Sequence, residues 1–74
     1  MDMHENLKKI IGSEIQKSRK DAGLTQKELA ERSGFSGANA IANIENGNKA
    51  ISVLKLAQIC DALDLDPVFF LRKK

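Results

Sequence analysis

Residues 24–47 read LTQKELAERSGFSGANAIANIENG, and this stretch decides the fold. Thr25-Gln26-Lys27-Glu28 has the form of a capping box, in which the Thr25 hydroxyl accepts from the Glu28 backbone N–H and the Glu28 carboxylate accepts from the Thr25 N–H. A helix therefore starts at Gln26. Leu29 and Ala30 are its inward residues, Ser33-Gly34 closes it because glycine takes the left-handed cap without penalty, and Phe35 anchors the turn. A second helix is predicted to begin at Ser36 or Gly37. It carries Ile41 and Ile44 on one face, three apart, and Asn39 and Asn43 on another, four apart. One face packs; the other is left polar and outward, two helices joined by a tight turn.

Before this stretch, Leu7, Ile10, Ile11 and Ile15 recur at helical spacing with Gly23 as a stop, predicting a first helix over 7–22. Ser18 falls where that stripe asks for a larger apolar side chain. After it, Ser52 is an N-cap candidate, and Val53, Leu56, Ala57, Cys60 and Leu63 mark the buried side of a fourth helix that ends at Asp64-Leu65-Asp66. Asp66-Pro67 is a good cap and first-turn pair, so a short fifth helix is predicted through Val68, Phe69, Phe70 and Leu71. A β-strand is the alternative for so short and aromatic a run. The expectation is one compact all-α domain of five helices spanning 1–74, with its core over about 7–71 and short, flexible ends.

Seventy-four residues leave no room for a second, catalytic domain, and a core this small calls for tight packing or dimerisation. The net charge is +2, but its distribution is uneven. Residues 7–50 hold eight basic against five acidic side chains, whereas 51–71 hold one lysine against three aspartates. The positive half contains the candidate reading helix, and it suits a polyanion. One cysteine makes no internal disulfide, and neither a secretory leader nor a membrane-length apolar run is visible, so a cytoplasmic, reduced protein is expected.

Arg19, Gly23-Leu24-Thr25-Gln26, Leu29-Ala30, Gly34, Ile44-Glu45-Asn46-Gly47 and Ala62-Leu63 fall in one order and spacing. In these residues the chain resembles the Cro and phage-repressor (XRE) helix-turn-helix family, over about 11–70. The resemblance implies a lambda-repressor-like DNA-binding domain of five helices, acting as a dimer on palindromic operators with the third helix in the major groove. It also implies that Arg19 and Glu45 form a partly buried ion pair joining the first helix to the end of the third, for which arginine's fork is well suited. One departure stands out. The segment 34–45 is one residue longer than the family pattern, with Ser36-Gly37 where a single capping residue is usual.

Asn39 and Asn43 are the expected base readers, because an asparagine amide pairs with N7 and N6 of adenine at once. The plainer reading of Asn39 is a capping residue; Asn43 lies mid-helix, where asparagine is a poor helix former. Gly37 and Ala38 stand at the start of the reading helix, where the family often has glutamine or arginine, so part of the specificity is expected from DNA shape. Ala42 is expected to serve packing. Phosphate contact is assigned to Gln26 at a helix N-terminus, and to Lys27, Ser36, Asn46, Asn48 and Lys49. For Gln26 the competing reading is an ordinary first-turn residue, and for Lys49 a solvated loop lysine.

Val68, Phe69 and Leu71 are the expected dimer interface, with Phe70 closing the core against the first helix. His4 stands alone near the N-terminus, and Cys60 on an apolar face reads as a small hydrophobe rather than a redox sensor. No catalytic group, metal, cofactor, membrane or small-molecule substrate is expected. The sequence thus points to a sequence-specific transcriptional regulator, most readily a repressor or autoregulator, binding double-stranded DNA as a homodimer. The alternative is a protein-interaction module such as an antitoxin or a restriction–modification controller component, working with a partner protein.

Overall fold

The computed structural model describes residues 3–66. Four helices follow one another: α1 (Met3–Asp21), α2 (Gln26–Ser33), α3 (Ala38–Glu45) and α4 (Val53–Ala62). The all-α class stands, but the count of five helices is corrected: the described residues form four helices and no strand. Helix α4 stops because Asp64 turns left-handed at φ 60°, and the Leu65 N–H then donates to the Cys60 carbonyl at 2.7 Å, closing the helix end. The stretch over 67–71 expected to form the fifth helix lies outside the described residues, as do Val68, Phe69 and Leu71 of the expected dimer interface and Phe70 of the expected core.

The core is made where α3 packs on α1 and α2, and α2 on α4. Ile15, Leu29, Ala30, Ile41, Ile59 and Cys60 are sealed from solvent, with Ile44 and Leu56 nearly so. Each such branched aliphatic side chain contributes about 1.5–3 kcal/mol on burial. Phe35, Ile11, Ile51 and Leu63 close the margins of this cluster.

Several expected core positions fall elsewhere. Leu7 and Ile10 are about half exposed, and Val53 is 71% exposed. The cause is the same in each case: an amphipathic stripe is buried only where a neighbour covers it. On α1 that neighbour is the C-terminal end of α3, and Leu7 and Ile11 instead border an open cleft with Ile44 and Ile51. On α4 the buried side runs through Leu56, Ile59 and Cys60 and leaves Val53 exposed at the first position of the helix.

Gly12 explains how α1 and α3 come so close. A Cβ there would sit 2.7 Å from the Glu45 carbonyl oxygen and nearer still to that of Ile44, so only glycine fits. This contact aligns the end of α3 against the middle of α1.

Candidate nucleic-acid interface

Local chemistry sets each edge of the site. The capping box that opens α2 is formed on both arms, Glu28 N–H to Thr25 Oγ1 at 3.0 Å and Thr25 N–H to Glu28 Oε1 at 2.8 Å. Those hydrogen bonds, backbone first, hold the Glu28 carboxyl below the usual glutamate range. Gly34 closes α2 in the left-handed region at φ 79°, and its N–H donates to the Ala30 carbonyl. The chain then turns through Phe35 and Ser36 into Gly37, which is extended and caps α3 by its backbone alone. Helix α3 therefore starts at Ala38, one or two residues later than the sequence reading placed it.

Within α3 the two faces separate cleanly. Ile41 and Ile44 are buried, while Asn39 and Asn43 are exposed. Among the described residues, neither asparagine side chain has a hydrogen-bond partner. Ala38 and Gly37 lie half-buried at the leading end. At the trailing end the Asn48 N–H donates to the Asn43 carbonyl at 3.0 Å and the Gly47 N–H to that of Ile44 at 3.1 Å. Gly47, at φ 74°, turns the chain out of the helix, and exposed Asn46, Asn48 and Lys49 follow Asn43 at this end. Lys27 and Ser36, also exposed, belong to the start of α2 and to the turn.

The orientation of α3 is fixed by one buried carboxylate. Glu45 Oε2 accepts from Arg19 Nε at 2.6 Å, and Oε1 from Arg19 Nη2 at 3.1 Å, a two-pronged contact whose carboxylate side chain is fully shielded. Oε1 also accepts from Gln26 Nε2 at 3.0 Å and from Gln16 Nε2 at 3.4 Å. Arg19 Nη1 spends a further donor on the Leu24 carbonyl at 2.8 Å. Glu45 thus ties α1, the loop after it, α2 and α3 at one point. Gln16 escaped the sequence reading, and so did the turning of Gln26 toward Glu45. A glutamine amide carries two N–H donors, so Gln26 keeps one N–H and its carbonyl oxygen for a ligand at the α2 N-terminus.

This arrangement is a polar, outward helix flanked by a glycine turn on one side and a lysine-bearing loop on the other. Asparagine amides on a helix that fits the major groove can pair with base edges, and the flanking hydroxyls, amides and lysine are the groups that hold phosphates.

Comparison with known proteins gives a consistent result. Residues 15–70 match the helix-turn-helix family HTH_3. The chain is 33% identical over 63 residues to the HTH-type transcriptional regulator y4dJ of Sinorhizobium fredii, a match covering 85% of this chain and 80% of that protein. Among solved structures it is similar to the clp gene regulator ClgR of Corynebacterium glutamicum, with 32% identity and a TM-score of 0.81 over 88% of this chain and 83% of that one. It is also similar to the restriction-modification controller protein C.AhdI of Aeromonas hydrophila, with 25% identity and a TM-score of 0.86 over 93% and 99% of the two chains.

Proposed function

This chain belongs to the helix-turn-helix family and is a DNA-binding regulator of transcription; from that premise we propose how it reads its site. Helix α3 enters the major groove, Asn39 and Asn43 pair with base edges and favour A·T pairs, and Ala38 and Gly37 allow close approach. Gln26, Lys27, Ser36, Asn46, Asn48 and Lys49 hold the phosphates on either side of the groove. The observation that carries this reading is the pair of exposed asparagines without a described partner, on a helix whose opposite face is sealed in the core.

Eight helical residues span about 12 Å, enough for three or four base pairs. So short a site is too common to define an operator, and a second copy related by two-fold symmetry doubles it. We therefore infer a homodimer on a palindromic operator, with half-sites about one DNA turn apart, that represses by excluding polymerase. A second reading, a restriction–modification controller, is favoured by the likeness to C.AhdI, which extends over 99% of that protein.

Selection of bound sequences from a random duplex pool tests both readings. The expected result is a palindrome containing A·T pairs, bound far more tightly than a scrambled duplex. Equal, weak binding to all duplexes would count against sequence readout.

A further inference from the structure

We propose that a cleft beside the reading helix is a seat for one DNA backbone phosphate, and that Lys55 of α4 is the cation that holds it there. This inference rests on the reading of the chain as a DNA-binding protein. The cleft encloses about 470 Å³, and its wall brings together Ser36 of the turn, Asn43 of α3, Lys49 and Ser52 of the following loop, and Lys55.

Three observations point to a phosphate. The first is charge: two lysines border the cleft, and among the described residues neither forms a salt bridge. The second is position. Asn43 is shared between the cleft and the outward face of α3, and a groove about 12 Å wide is walled by phosphates, so a cleft that begins at a base-reading residue meets the backbone. The third is that the cation is held in place. The Lys55 ammonium lies 5.0 Å above the centre of the Phe35 ring, which holds this exposed side chain beside the residue that precedes Ser36 in the turn. The aromatic face restrains the side chain without using up its charge. Serine hydroxyls at 36 and 52 add neutral donors for the same ligand.

Sequence reasoning could not have placed Lys55 here. It is the single cation of the acidic stretch 51–71, and only the packing of α4 on α2 carries it to the turn.

The test is the salt dependence of duplex binding for the wild type, Lys55→Gln and Lys55→Arg, with thermal unfolding as the control for folding. Lys55→Gln should give a log–log slope shallower by about 0.9, the loss of one neutralised phosphate, with unchanged base preferences. Between roughly 1 M and 0.1 M salt, that slope difference opens a gap in affinity of about eightfold. Lys55→Arg should restore the wild-type slope. A Lys55→Gln slope equal to wild type, or an affinity loss that changes base preference, overturns the proposal and leaves Lys55 as a packing partner of Phe35 only. Failure of the parent reading looks different: the wild type would then bind selected and scrambled duplexes alike, while the slopes on either duplex still decide whether the cleft takes a phosphate.

Discussion

Helix α3 carries polar residues at two places that are treated in opposite ways. At its end, Glu45 is buried and both of its carboxylate oxygens are met by donors, Oε2 by Arg19 and Oε1 by Arg19, Gln16 and Gln26. On its outer face, Asn39 and Asn43 stand exposed, without a described partner. The first arrangement makes polarity a structural joint; the second leaves it for a ligand. The difference is one of desolvation. A carboxylate taken out of water has to be paired within the fold, whereas an exposed amide loses nothing by waiting for a base edge.

The largest effect should follow from breaking the joint. Glu45→Ala strands the Arg19 charge in a site where it is 9% exposed, and the expected destabilisation is about 3–5 kcal/mol by urea unfolding. Replacing both partners, as in Arg19→Met with Glu45→Leu, should recover most of that loss while misaligning α3 and weakening DNA binding. Equal loss of stability in the single and double variants would show that the joint is not an isolated ion pair.

Much of this comparison was legible in the sequence, and the illegible parts share a cause. The capping box at Thr25 and Glu28, the stop at Gly34 and the two faces of α3 follow from spacing alone, because their partners lie within four residues. Gly12 and Gln16 were not singled out. A glycine in mid-helix, or a glutamine on a polar face, has no local signature of the carbonyl or carboxylate that it meets on α3. Leu7, Ile10 and Val53 misled for the converse reason, since apolar spacing shows which side of a helix is available for burial, not how far along it a neighbour reaches. The end of α4 at Asp64 was legible too, and the count of five is corrected to the four helices of the described residues.

A smaller effect comes from the exposed cap of α2. Thr25→Ala should cost about 1 kcal/mol at neutral pH, again by urea unfolding. Its pH signature sets it apart from the joint. Because the folded protein holds Glu28 below its ordinary value of 4.5, the unfolded chain takes up the proton first. The contribution of Glu28 is therefore complete above that value and is lost as pH falls through it and below the depressed one. Glu28→Gln should flatten this part of the stability profile, whereas Thr25→Ala keeps the Thr25 N–H and should flatten it only in part; an unaltered acid limb in Glu28→Gln would mean that the box adds nothing in solution.

The smallest effect on folding, and the most informative on function, belongs to the open face. Asn43→Ala should leave unfolding almost unchanged, since alanine is the better helix former and no described contact is lost. The decisive measurement is the affinity of wild type and Asn43→Ala for the selected duplex and for its variants changed one base pair at a time. The account predicts that the variant loses about 1–3 kcal/mol of discrimination at a single A·T pair in each half-site, with the other positions read as before. An identical discrimination profile for the two proteins, or a uniform loss at every position, would contradict the claim that the open face of α3 reads the bases.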